Sequence, residues 1–328
     1  MSKIIFITGA SSGLGLSHAI YLTARGYMVY GTSRYADQLD RAELKNRYLT
    51  DHTKFRYINK NKTQVKAGKI IVPKKIIENL ETYLEIIQYI TMDVTDEKSV
   101  RRAVDSIDNV DILINNAGSG YFGPVEELTL VQTQYQFDVN FLGMLRVLQS
   151  AIPKMRERKS GRIINTSSLG GISCIPFQAH YSATKAAVLR MTESLRLELK
   201  PFNIHVSSLA SGTINTFFDA NTAMLHHKDK EYKSTDIEDL LAAIPTPENS
   251  PYYNRAKIVW RSIIQNFLIS PPPIIVSRKI ERIIKTKRPK VHYTVGSRIQ
   301  TLGLNFMKRV FPETWTTRVM AMFYGLWN

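Results

Sequence analysis

Lys3 to Gly15 reads KIIFITGASSGLG, and the fold follows from how its two halves differ. Lys3 to Thr8 is a near-continuous apolar run of the kind that fills a central parallel strand covered on both faces. Gly9-Ala10-Ser11-Ser12-Gly13-Leu14-Gly15 then lets the backbone turn sharply and approach an anion closely. A helix beginning near Gly13 would aim unpaired N–H groups and its positive dipole end at a pyrophosphate. Leu16, Ala19, Ile20 and Leu22 give that helix an apolar side, and Gly26 stops it. Strand, glycine turn and helix in this order predict the first unit of a dinucleotide-binding sheet.

The pattern repeats down the chain. Strand-like apolar runs recur at Tyr27 to Thr32, Ile87 to Met92, Val110 to Ile114, Arg162 to Thr166, Ile204 to Leu209 and Lys290 to Val295. Helical patterns separate them, among them Val131 to Leu148 and Ile274 to Thr286, and Thr95 or Asp96 is the expected cap of a helix from Glu97 to Ser106. Seven strands alternating with helices predict an α/β, Rossmann-type, doubly wound parallel sheet with helices on both faces. A single domain over residues 1–295 accounts for the order. It carries a basic insertion at about 50–80, longer than a crossover needs, which reads as a hairpin or a partly disordered surface excursion. The polar segment at about 215–270 follows the carboxyl end of a strand and reads as a substrate lid. Residues 296–328 form an amphipathic helical extension, with Ile299, Leu302, Phe306 and Val310 as a stripe flanked by Arg298, Lys308 and Arg309. Three readings of it stay open: packing on the protein's own surface, a subunit interface, or a helix lying on a membrane.

Composition narrows the class. The 328 residues are 44% hydrophobic, ample for a buried core, and carry a net charge of +16. Such a charge suits nucleic acid, anionic lipid or an anionic cofactor, but the cations crowd into Lys54 to Lys75 and Arg278 to Arg309 without a nucleic-acid motif. No nucleic-acid partner is expected. The single Cys174 excludes an intrachain disulfide and argues against a cysteine-based metal site, so no metal is expected. Met1-Ser2-Lys3 passes directly into the first strand, and no apolar span reaches about 18 residues. A cytoplasmic protein is expected, peripheral to a membrane if the extension lies on one.

Groups suited to a dinucleotide sit at the strand ends. In an NAD-binding unit an acidic side chain after the second strand receives the ribose hydroxyls; here Ser33-Arg34 stands there, with no carboxylate until Asp37. A cation favours a 2′-phosphate, which predicts NADP(H) over NAD(H); the alternative is that Arg34 packs on the adenine or faces solvent. Asp93, with Val94 beside it, could accept from the adenine amino group. Asn115-Asn116-Ala117-Gly118 lets backbone lie against the cofactor.

Asn165 to Lys185, NTSSLGGISCIPFQAHYSATK, holds the chemistry. Tyr181 and Lys185 are four residues apart, close to one helical turn, so both side chains leave the same face. A phenol titrates near ~10, and a neighbouring ammonium lowers that value toward the range of a useful acid or base. Ser167 or Ser168, a short loop upstream, could hydrogen-bond the same substrate oxygen. Alone, this is also an ordinary helix pair. Asn140, inside the apolar helix pattern, is either a core amide or the holder of a water near the site.

Taken together, Thr8-Gly9-Ala10-Ser11-Ser12-Gly13-Leu14-Gly15, Asn115-Asn116-Ala117-Gly118, Asn140, Ser168 and Tyr181-Ser182-Ala183-Thr184-Lys185 resemble the short-chain dehydrogenase/reductase family, in order and spacing, over roughly the first 215 residues. The closer likeness is to its hydroxysteroid and retinol dehydrogenase members, through Arg288 to Gly296 (RPKVHYTVG) as well. The resemblance selects Ser168 over Ser167 and implies four catalytic residues. Tyr181 would be the acid or base, Lys185 would lower its pKa and hold the nicotinamide ribose, Ser168 would fix the substrate oxygen, and Asn140 would anchor a water for proton relay. It implies cofactor contacts at Gly9, Ser11, Ser12, Gly13, Leu14, Gly15, Arg34, Asp93, Val94, Asn116, Ala117, Gly118, Tyr181, Lys185, Ile214 and Thr216, and a homodimer or homotetramer. The family's Pro-Gly after the sixth strand is Ser211-Gly212 here, which implies a less rigid carboxamide loop. Cys174, Ile175, Pro176, Phe177, Phe217 and Phe218 are the apolar candidates for a substrate wall, so the expected substrate is a hydrophobic ketone, aldehyde or matching alcohol of steroid, retinoid or fatty-acyl type. Two rivals are weighed against this: a non-enzymatic NADP(H)-binding sensor or scaffold, and a sugar-nucleotide epimerase, whose T-G-x-x-G-x-x-G spacing differs by one residue.

Overall fold

A computed structural model describes residues 2–53, 56–58, 65–67, 72–216, 241–268, 270–297, 301, 310 and 312–326. Along the chain, β1 (Ile4–Ile7), α1 (Gly13–Ala24), β2 (Met28–Ser33) and α2 (Arg41–Thr53) are followed by β3 (Arg56–Ile58) and β4 (Val65–Ala67). Then come α3 (Lys74–Glu78), α4 (Leu80–Ile86), β5 (Gln88–Thr91), α5 (Glu97–Asp105), β6 (Ile112–Asn115) and α6 (Leu130–Phe137). The remainder is α7 (Gly143–Glu157), β7 (Gly161–Ser168), α8 (Ala179–Leu199), β8 (Ile204–Ser211), α9 (Tyr253–Leu268), α10 (Ile274–Lys285), β9 (His292–Val295) and α11 (Glu313–Phe323).

Seven strands form one sheet in the order β5-β2-β1-β6-β7-β8-β9, and every recorded pairing in it is parallel. This is the doubly wound Rossmann-type sheet, reversing direction between β1 and β6, where a crevice opens beyond the carboxyl ends of the strands. Alternation along the strands serves two cores. Ile5, Ile7, Ile112, Ile114 and Ile164 face one side, against α1, α2, α4 and α10; Phe6, Leu113 and Ile163 face the other, against α5, α7 and α8. The unbroken apolar runs in the sequence follow from burial on both faces.

Local rules account for the ends of elements. Asp96 caps α5 by accepting from Lys98 N, with Thr95 held instead to Asp93 Oδ1. In the insertion, β3 and β4 pair antiparallel as a separate two-stranded hairpin, and α3 and α4 return the chain to the sheet. The helix expected over Val131 to Leu148 is interrupted: between α6 and α7 the turns at Asp138–Leu142 widen to π-helical geometry, with Asn140 at their centre. In the expected lid, residues 217–240, including Phe217 and Phe218, lie outside the described residues, while 253–268 is the regular helix α9. Ile299, Leu302 and Phe306 of the terminal stripe also lie outside them; the described part of the extension is α11.

Candidate active site

One cavity of about 1000 Å³ runs along the carboxyl ends of β1, β2, β6, β7 and β8. Its first end is built by the glycine turn. Gly9 and Gly13 have φ of +67° and +49°, in the left-handed region that favours glycine. A Cβ on Gly15 would lie 2.0 Å from the Gly9 carbonyl oxygen and 2.7 Å from Asn116 Nδ2, so no other residue fits there. Asn116 ties this turn to the end of β6: its Nδ2 donates to the carbonyls of Thr8 (3.1 Å) and Gly9 (3.2 Å). Thr8 Oγ1 in turn accepts from the backbone N–H of Asn116 and Ala117, both at 2.9 Å.

Ser11, Ser12, Leu14, Arg34, Asp93, Val94, Ala117, Gly118, Ile214 and Thr216 all line the same cavity with Gly9, Gly13 and Asn116. Gly15 stands behind the wall and shapes it. Arg34 reaches across the opening, its Nη1 3.4 Å from Tyr135 Oη. Arg47, on α2, also lines the cavity, donating to the Ser11 carbonyl at 3.1 Å and pairing with Glu43 at 2.5 Å. Nothing in the sequence marks Arg47, because a cation on a polar helix has the pattern of a solvated face. The Ser211-Gly212 stretch is fastened by Gly212 N donating to Val295 O at 2.7 Å. These residues fit a dinucleotide. The cradle admits no side chain at Gly15, and Ser119 Oγ and Thr166 Oγ1, in cavity-lining residues, are buried without a hydrogen-bond partner among the described residues.

Ser168, Tyr181 and Lys185 all line the same cavity. Their elements fix them: Ser168 ends β7, and Tyr181 and Lys185 sit one turn apart on α8, with Lys185 Nζ 5.8 Å from the Tyr181 ring centroid. The two serines differ in what they hold. Ser167 Oγ donates to the Lys185 carbonyl at 2.8 Å, so its proton is committed to the α8 backbone. Ser168 Oγ accepts from Gly170 N at 3.0 Å, which leaves its own O–H to donate into the cavity. Lys185 is 4% exposed, donates to Thr166 O at 3.2 Å, and burial pulls its ammonium down to about 8.

Asn140 lies behind the wall, fully buried. Its Oδ1 accepts from Ser119 N (2.8 Å), and its Nδ2 donates to Ser119 O (2.9 Å) and Thr184 Oγ1 (3.1 Å). The widened turn therefore joins the loop after β6 to α8, one residue before Lys185. Gly118 fills the gap between these groups: a Cβ there would be 3.2 Å from Asn140 Oδ1 and 3.5 Å from Lys185 Nζ.

The far end of the cavity is apolar and drawn from distant parts of the chain. Ile175 and Cys174 line it; Pro176 and Phe177 do not. Phe177, at φ +62°, instead stacks on Phe122 (5.6 Å), which meets Trp260 of α9 edge-on at 5.1 Å. Val319, Met320, Phe323 and Tyr324, from α11 and the residue after it, complete this wall with Ile263. Their spacing is helical, but nothing in a helical stripe says which surface it covers. Among the described residues no group of three or more His, Cys, Asp and Glu side chains could hold a metal.

The family model for short chain dehydrogenase matches residues 69–225. A 3-ketodihydrosphingosine reductase of Bacteroides thetaiotaomicron is 29% identical over 99% of this chain and 98% of its own length. The 17-beta-hydroxysteroid dehydrogenase type 1 of Homo sapiens is 33% identical over 91% of this chain and 79% of its own length. The crystal structure of a short-chain dehydrogenase from Streptomyces avermitilis superposes with a TM-score of 0.67 at 23% identity, covering 98% of this chain and 96% of that one, a likeness of fold. With that extent of identity and this sheet, the chain belongs to the short-chain dehydrogenase/reductase family, enzymes that interconvert CH–OH and C=O groups.

Proposed function

We propose that this enzyme is an NADP(H)-dependent oxidoreductase of a hydrophobic ketone or aldehyde, or of the matching alcohol. The observation that carries the reading is the convergence of Ser168, Tyr181 and Lys185 on one wall of a cavity that is polar and glycine-lined at one end and apolar at the other. Bound nicotinamide supplies the hydride. The Tyr181 hydroxyl gives a proton to the carbonyl oxygen in reduction and takes it back in oxidation, and the Ser168 hydroxyl holds that oxygen. Lys185, still protonated at neutral pH with its ammonium near 8, stabilises the phenolate form of Tyr181 and binds the nicotinamide ribose. Both Asn140 N–H groups are spent on Ser119 and Thr184 and one lone pair of Oδ1 on Ser119 N, so the second Oδ1 lone pair is the part of that amide left to anchor a relay water.

Arg34 and Arg47, both on the cavity wall beyond the glycine turn, support the 2′-phosphate cofactor over NAD(H). The apolar end supports a hydrophobic substrate, in keeping with the keto lipid and hydroxysteroid in the names of the two relatives. We further propose one catalytic domain over residues 1–295 with its cover at 215–270, assembled as a homodimer or homotetramer. Membership in an enzyme family weighs against the sensor reading. Consumption of NADPH and NADH, measured across ketones and aldehydes of increasing chain length, tests the proposal. Turnover rising with chain length and favouring NADPH is expected; equal use of NADH, or preference for short polar carbonyls, would contradict it.

A further inference from the structure

The substrate end of the cavity opens beside α11. Val319, Met320, Phe323 and Tyr324 line the cavity, and Tyr324 is buried in one cluster with Trp260 and Ile264. Phe323 is nevertheless 44% exposed, which puts it at the mouth. Trp315 and Met322, seven residues apart and so on one face of the helix, are 54% and 56% exposed. On the adjoining helix α9, Ile258 is 45% exposed, and its Cγ2 lies 3.0 Å from where a Cβ on Gly325 would stand. An apolar surface thus continues outward from the apolar end of the cavity.

Cations flank this surface: α9 is cationic, and α11, with Glu313 at its first position, brings Arg318 to its middle. Between Tyr253 and Leu268 there are three cations, Arg255, Lys257 and Arg261, and no carboxylate. Arg255, Ile258 and Arg261 follow at three-residue intervals on one exposed face. Arg318, exposed, stands between Trp315 and Met322 on α11. Glu126 and Glu127 meet the segment before α9, at Tyr252 and Ser250, and not this face. Among the described residues no helix is long and apolar enough to cross a membrane. Arginines beside half-exposed Trp, Met and Phe match a bilayer surface, where rings sit at headgroup depth and guanidinium groups meet lipid phosphates.

We propose that the exposed faces of α9 and α11 dock this enzyme on an anionic phospholipid bilayer, with the cavity mouth turned to the lipid. The docking stands without turnover; delivery of a bilayer-dissolved carbonyl substrate into the cavity rests on the function proposed above. The full chain is sedimented with vesicles of phosphatidylcholine alone or containing phosphatidylserine. Binding to the anionic vesicles is expected, weakening as salt is raised, and falling about tenfold or more in W315S/M322S and in R255Q/R261Q/R318Q. The thermal midpoints of both variants should match the parent, and the single variants W315S and M322S carry the test if the double variant does not fold. No binding to either vesicle, or binding undiminished in both variants, would overturn the proposal. So would a dimer in sedimentation equilibrium that W315S/M322S dissociates, which assigns the face to a second copy of the chain. If vesicles are bound but no carbonyl compound is reduced, the proposed function fails and the docking surface stands.

Discussion

The two ends of the cavity are made by different means. At the glycine end, short stretches at strand termini do nearly everything: Gly9, Gly13 and Gly15 shape the turn, and Asn116 and Thr8 lock it with four hydrogen bonds. Behind the apolar end, Phe122 and Trp260 pack in one buried cluster with Tyr324, which lines the cavity, and the three come from remote segments. The first end is specified by residue identity at fixed positions; the second is specified by volume and shape. One end can therefore stay constant while the other is free to vary with the substrate.

Truncation behind the apolar end should separate the two. Trp260 is fully buried, so Trp260→Ala should cost about 3–5 kcal/mol in stability by urea unfolding. In the folded fraction it should raise KM for hydrophobic carbonyl compounds and leave the Kd of NADPH unchanged. A cofactor Kd that shifts as far as KM would break the distinction between the ends.

A smaller effect belongs to the framework that supports both. Asp51 on α2 is 3% exposed, and burial pushes its carboxyl up to about 8, with Arg47 opposing. A carboxyl whose folded pKa is raised keeps its proton in the native state while the unfolded chain gives it up. The folded state thus loses relative stability as pH rises from about 4 toward 8. Asp51→Asn should remove this penalty, stabilising the protein by up to a few kcal/mol at pH 8 and by clearly less at pH 5. Unfolding midpoints in urea at the two pH values check it; an equal gain at both would contradict the assignment. Turnover should be unaffected, since Asp51 is not among the residues lining the cavity.

The same contrast explains what could be read from the residues alone. The sheet was legible because strands buried on both faces must be apolar throughout, and the glycine turn because its backbone angles and close approaches exclude side chains. Tyr181 and Lys185 were legible as a pair one turn apart on one helix, and the serines as the end of the preceding strand, but only the family resemblance separated Ser168 from Ser167. The widened turn at Asn140 was not, because it is held by hydrogen bonds to Ser119 and Thr184, each remote in sequence. Arg47 was hidden in a polar helix whose cavity-facing side appears only on folding. Val319 and Met320 form part of a stripe whose covering surface is set by long-range packing. Phe177 was read as substrate wall from its apolarity, whereas its left-handed φ and the Phe122 ring hold it beside the wall.

Replacing the phenol tests the proposed chemistry most directly. Tyr181→Phe removes one oxygen and keeps the ring over which Lys185 sits. With the best carbonyl substrate from the cofactor screen, kcat should fall by about 10²–10⁴ while the Kd of NADPH stays within a factor of about two. Turnover within a few-fold of the parent enzyme would show that Tyr181 is not the proton donor and would contradict the account.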